Sequence, residues 1–173
     1  MRYFFIIFIF LSISLNVYSQ KIATFKFSYI LDNLQAYNNF INQIDEFKKK
    51  KFEELKVEEN ILTKKKKEIE DSKILLSESE YLRQISAFNK NKKLFENKVN
   101  KLNNYLQENI ESNENKILKE IVDIVRSIAI ENNIDIILFE EQYFLASDSL
   151  DISEQIYNKL KSINITLQLL NYE

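Results

Sequence analysis

Glycine, proline, cysteine, histidine and tryptophan are all missing from this chain of 173 residues. At ordinary usage a chain of that length carries roughly a dozen Gly and about nine Pro. An AT-rich genome, which favours Lys, Asn, Ile, Phe and Tyr, could cause part of such a bias, but the consequence is the same: tight turns are few. Without Gly there is no P-loop, no dinucleotide-binding fingerprint and no hairpin built on an Asn-Gly turn. Without His or Cys there is no zinc site of the usual ligands, no Ser-His-Asp or Cys-His pair, no haem ligation by those residues and no disulfide. Catalysis would be left to paired carboxylates or a Lys nucleophile. A chain in which 29% of residues are charged offers many of each and singles out none. The expectation is a protein that is not an enzyme and carries neither cofactor nor metal.

What is present begins with Met1-Arg2, an apolar run from Tyr3 to Ile13, and Asn16-Val17-Tyr18-Ser19, with Val17 and Ser19 at the small-residue positions before a cut. That is the layout of a secretory signal peptide over residues 1–20. The alternative is a membrane anchor, but a run of roughly 15 residues is marginal against the ~20 needed to span a bilayer. No later segment is long and apolar enough to cross a membrane, so an exported, soluble product is expected, and the periplasm fits best. Lys64–Lys101 holds eleven basic residues against six acids, whereas Glu131–Glu173 holds eight acids against Lys159 and Lys161. The middle is basic and the end acidic.

Lys21–Phe27 is rich in β-branched and aromatic residues and reads as a strand. A helix is expected to begin near Tyr29–Asn33, capped by Asp32 or Asn33, and to run to the mid-seventies. Along it Ile41, Lys48, Leu55, Leu62, Ile69 and Leu76 recur every seven residues, beside Phe40, Phe47 and Ile61, as in a coiled-coil seam. In Leu76-Ser77-Glu78-Ser79-Glu80-Tyr81, Ser77 and Glu80 have capping-box spacing, with Leu76 and Tyr81 placed as a hydrophobic staple. A second helix therefore starts at 77 or 78. Its apolar face runs Ile85, Phe88, Phe95, Val99, Leu102, Leu106, then shifts by four to Ile110, Ile117, Ile121, Ile124, Ile128, a stutter that unwinds a supercoil locally. Asn132-Asn133 ends it, Asn being the residue after Gly that best tolerates a left-handed helix terminus.

Two long helices joined by a few residues must run antiparallel, giving a protruding arm over residues 34–131 with its tip near 75–79. Ile134–Glu140 reads as a buried strand, Tyr143–Ser147 as a third, and Asp151 with Glu154 opens a last helix facing inward through Ile152, Ile156, Leu160 and Ile163. Residues 164–173 have no clear assignment. The fold class is mainly α with a small β body. That body, residues 21–33 and 132–173, is near the lower limit of roughly 40–60 residues for an independent core. It should need partner subunits, with Ile22, Phe25, Phe27, Ile134, Ile136, Leu138 and Phe144 as the oligomer-body candidates.

The order of signal peptide, strand KIATFKF, helical hairpin turning through ILLSESEYLRQISAF, and NNIDIILFEEQYFLASDSLDISEQIYNKL resembles the Skp/OmpH family of periplasmic chaperones over essentially the whole exported part. Ile134–Leu160 is the most specific portion. The resemblance implies a homotrimer in which strands of three subunits form one small barrel and three arms enclose a cavity. It also implies an ATP-independent holdase that binds unfolded outer-membrane proteins before insertion, with the outer-membrane assembly machinery as a further partner. Well-known members are strongly basic, whereas this chain has net charge −2, which weakens the case for lipopolysaccharide binding. A holdase needs exposed apolar groups and scattered cations on its arms. The client-facing candidates are Leu75, Leu76, Tyr81, Phe88, Lys90, Lys92, Lys93 and Phe95, although Phe88 and Phe95 fit equally well as seam residues. A structural or adhesive coiled-coil protein of the envelope is the alternative; nucleic-acid binding is disfavoured because the Lys runs are interleaved with Glu.

Overall fold

A computed structural model describes residues 19–172. All but the last two residues of the expected signal peptide lie outside it. The elements run β1 (Ile22–Phe25), α1 (Phe27–Asn33), α2 (Gln35–Ser72), α3 (Glu78–Asn132), β2 (Ile136–Phe139), short 3-10 turns at Glu140–Gln142 and Asp148–Leu150, and α4 (Ser153–Leu160).

The first strand and the segment that follows the arm meet at its base, as the order of elements requires. β1 and β2 pair in parallel, with Ile22 opposite Ile136 and Phe25 opposite Phe139. Alternation along the two strands sends Ala23, Phe25, Ile137 and Phe139 inward, where they pack against Ile30, Leu31 and Leu34, the end of α3 (Ile117, Ile121, Ile124, Ile128) and α4 (Ile156, Leu160). The strand start is fastened by polar contacts. The Lys21 carbonyl accepts from Asp135 N–H (2.8 Å) and Ile136 N–H (3.2 Å), and the Lys21 N–H donates to the Asp135 carboxylate at 2.8 Å.

The first helix differs from expectation. Helical structure starts already at Phe27 and breaks at Leu34 (φ −81°, ψ 108°), so neither Asp32 nor Asn33 caps anything; Asn33 instead donates back to the Tyr29 carbonyl. The kink lets Ile30, Leu31 and Leu34 all reach the core. At 1.5 Å per residue, α2 is about 57 Å long and α3 about 83 Å. The excess length of α3 is the part that enters the body.

The arm's seam is tighter at its base than beyond it. Phe40, Ile44, Leu102 and Leu106 are buried together, with Phe47 and Leu55 packed against them. Of the expected columns Lys48 and Ile61 are exposed, Ile69 near the tip is buried, and Ile44, which belongs to neither column, is buried at the base. On α3 the buried positions are 102, 106, 109, 113, 117, 121, 124 and 128. Three successive steps of four, from Asn109 to Ile121, form the stutter, where α3 passes from its partner helix to the body.

The tip and the far end of α3 follow their local chemistry. Ser77 accepts from Glu80 N–H while the Glu80 carboxylate accepts from Ser77 N–H at 3.3 Å, completing the capping box. Asn133 is left-handed (φ 52°, ψ 50°), and Ile134 N–H reaches back to the Ala129 carbonyl at 2.9 Å. Tyr143–Ser147 is not a strand. The edge of β1 is taken instead by Asp151, bridged to Thr24, with Ile152 N–H donating to the Thr24 carbonyl at 2.8 Å. The last helix starts at Ser153, and Ile163 of its expected face is exposed.

Candidate functional site

Beyond its base, the arm leaves apolar surface open between and beside its helices. Phe52 and Leu55 on α2 and Phe95 and Val99 on α3 floor a groove of roughly 520 Å³ rimmed by Lys49, Glu53, Lys56 and Glu59. Ile61, Leu62 and Leu94 line a second, edged by the Lys98–Glu58 ion pair at 2.8 Å. Leu62 and Phe95 also border a third with Phe88, Lys92 and Glu96. These are shallow sites with greasy floors and charged rims. They suit apolar side chains of a mobile chain better than one small molecule.

The client-facing candidates fall into two groups. Leu75 is 87% exposed at the tip, whereas Leu76 and Tyr81 are half-buried, with the Lys73 ammonium 5.5 Å from the Tyr81 ring. Phe88 and Phe95 are half-buried in the grooves, so they serve the seam and the surface together. Lys90, Lys92 and Lys93 are exposed, and Lys92 pairs with Glu96 at 3.6 Å. Sequence reasoning missed Phe52, Ile61, Ile74 and Leu94 as exposed apolar groups. Their positions off the seven-residue columns were the available signal for Phe52, Ile74 and Leu94.

In the body, Phe25 is buried and Phe27 and Ile134 pack partly buried against the subunit's own core. Ile22 and Ile136 lie on the opposite face of the sheet, with Leu138 two residues along from Ile136, and Phe144 is fully exposed beside exposed Leu145. Asp151 ties the body together: it accepts from Ser153 N–H at 2.8 Å and pairs with Lys26 at 3.2 Å. Burial pushes the Asp151 carboxyl up, but the Ser153 and Lys26 bonds outweigh it and hold it below the usual range. Tyr37 donates to Glu114 at 2.6 Å, and burial followed by that bond raises its hydroxyl above the usual tyrosine range.

The family described as outer membrane protein (OmpH-like) matches residues 21–160, from the start of β1 to the end of α4. The chain belongs to the OmpH-like family. Among solved structures, an OmpH-like protein of Caulobacter crescentus CB15, described as a candidate outer membrane chaperone, shares the OmpH-like fold with TM-score 0.60 and 14% identity, over 90% of this chain and 92% of that one. No curated protein matches the chain. The OmpH-like match ends at Leu160, before the last segment.

Proposed function

We propose that this chain is an ATP-independent periplasmic holdase that binds unfolded outer-membrane proteins and keeps them from aggregating before insertion. The observation that carries this reading is the set of open apolar grooves with charged rims along the arm. Each contact with a client is weak, and several in parallel raise the avidity while leaving the client mobile. The chain works as a homotrimer joined through the sheet face of Ile22, Ile136 and Leu138 and through Phe144, with the arms around a shared cavity. Exposed Phe144 and Leu145 on a small body support that assembly. Delivery to the outer-membrane assembly machinery completes the role. Among the described residues no helix is long and apolar enough to cross a membrane.

The test is light scattering of an unfolded outer-membrane β-barrel protein diluted from urea, with and without residues 21–173 of this chain and without nucleotide. Suppression near one trimer per client is expected. A stable oligomer that leaves aggregation unchanged in large excess would favour the structural coiled coil.

A further inference from the structure

Residues 164–172 run along the cleft between α2 and α3 at the arm's base, where side chains of α3 bind their main chain. Asn113 accepts from Gln168 N–H at 3.3 Å and donates to the Gln168 carbonyl at 3.2 Å. Asn109 accepts from Leu170 N–H at 2.7 Å, and the Tyr105 hydroxyl donates to the Leu170 carbonyl at 2.6 Å. Two residues, one strand repeat apart, thus have both backbone groups satisfied as they would be beside another strand. Ile165, Leu167 and Leu169 are half-buried, while Thr166, Gln168 and Leu170 are exposed, the alternation of an extended chain. Tyr172 closes the row against Phe47 (5.5 Å) and Tyr105 (4.8 Å), flanked by the Lys51 and Lys101 ammonium groups.

The cleft is built for a backbone. Asn109 and Asn113 are fully buried on a helix face where apolar residues would otherwise pack, and their amides donate to the Tyr105 and Asn109 carbonyls one turn back. Those bonds fix each amide with its oxygen toward the extended segment. Polar recognition is confined to main-chain atoms, and the apolar contacts ask only for alternation. Strands of transmembrane barrels alternate apolar and polar residues in the same way.

We propose that this cleft is a binding site for extended segments of alternating apolar and polar residues, that residues 164–172 are its displaceable resident, and that unfolded barrel strands exchange with them. This rests on the holdase reading.

The probe is a fluorescein-labelled peptide copying residues 164–172, with a scrambled peptide that breaks the alternation as control. Leu167→Ser with Leu169→Ser in the full chain loosens the resident, and Tyr172→Ala loosens only its outer end should the double variant fold poorly. The loosened chain is expected to bind the peptide about tenfold more tightly than the parent, because the open cleft is no longer a minor state. Adding Tyr105→Phe, which removes one donor to the backbone, should weaken binding by about 2- to 10-fold. An unfolded barrel protein should displace the peptide. Equal binding by parent and loosened chains, binding indifferent to Tyr105→Phe, or equal binding of the scrambled peptide overturns the site. If the chain suppresses aggregation but the client leaves the peptide in place, the cleft proposal fails and the holdase reading stands. If no variant suppresses aggregation, the holdase reading fails and the barrel client goes with it, even where the peptide exchanges.

Discussion

Asn109 and Asn113 show how much one buried side chain carries. A buried amide without partners destabilises a fold, and these two are offset by bonds to α3 itself and to residues 168 and 170. Asn109→Ala should cost about 1–3 kcal/mol in urea unfolding, because it strands a Leu170 N–H, and should speed amide exchange at Leu170. Unchanged stability and exchange would mean that the segment is held by its apolar residues alone. Neither residue was legible in the sequence: an Asn on a long charged helix reads as solvated, and only the segment that folds back reveals its role. Asp151 was legible as a helix-start residue but not as a partner of Lys26. Its lowered carboxyl adds stability above the unfolded value near 4, lost as pH falls through the folded one; the raised Lys26 ammonium adds stability below its ordinary 10.5, lost as pH rises through its folded value. Thermal unfolding should therefore show a plateau between those limits, and Asp151→Asn should lower Tm by several degrees on the plateau while flattening the acid limb. An unaltered acid limb would place the titration elsewhere.

At the scale of elements, local signals and long-range pairing differ in how well the sequence reveals them. The capping box at Ser77 and the left-handed Asn133 need only neighbouring residues, and both stand where the sequence places them. Ser77→Ala should destabilise the start of α3 by about 1 kcal/mol. Hydrogen exchange should then quicken at the Glu80 and Tyr81 amides and stay unchanged at the body end of the same helix; no local change would mean that the tip is held by packing. The expected third strand is absent: Tyr143–Ser147 pairs with neither strand, and the second edge of β1 is bridged by Asp151. The seven-residue columns identified the seam at the base through Phe40 and near the tip through Ile69, and failed at Lys48 and Ile61, which face solvent. Between the buried base and Ile69 the arm leaves Phe52, Ile61 and Leu94 exposed. The candidate site was therefore partly legible: its Phe88 and Phe95 floor could be read from periodicity, while the opening between the helices could not.

For the whole molecule, the decisive imbalance is between a long arm and a small body. The body's core is made from one face of a two-stranded sheet, two short helices and the end of α3, leaving Ile22 and Ile136 on the other face and Phe144 and Leu145 in solvent. A two-stranded sheet with an open β2 edge invites pairing with another chain. Phe144 is fully exposed, so Phe144→Asp costs the isolated subunit nothing in packing but places a charge wherever that ring is covered in an assembly. Sedimentation equilibrium should show the parent at three times the chain mass and Phe144→Asp shifted toward single chains, with helicity by circular dichroism unchanged. Ile136→Asp, on the sheet face, should act in the same direction. Loss of the trimer should also weaken suppression of client aggregation, because one arm loses the avidity of three. A variant pair that keeps the parent's mass would remove Phe144 and Ile136 from the contact and leave the β2 edge as the surface through which the bodies join.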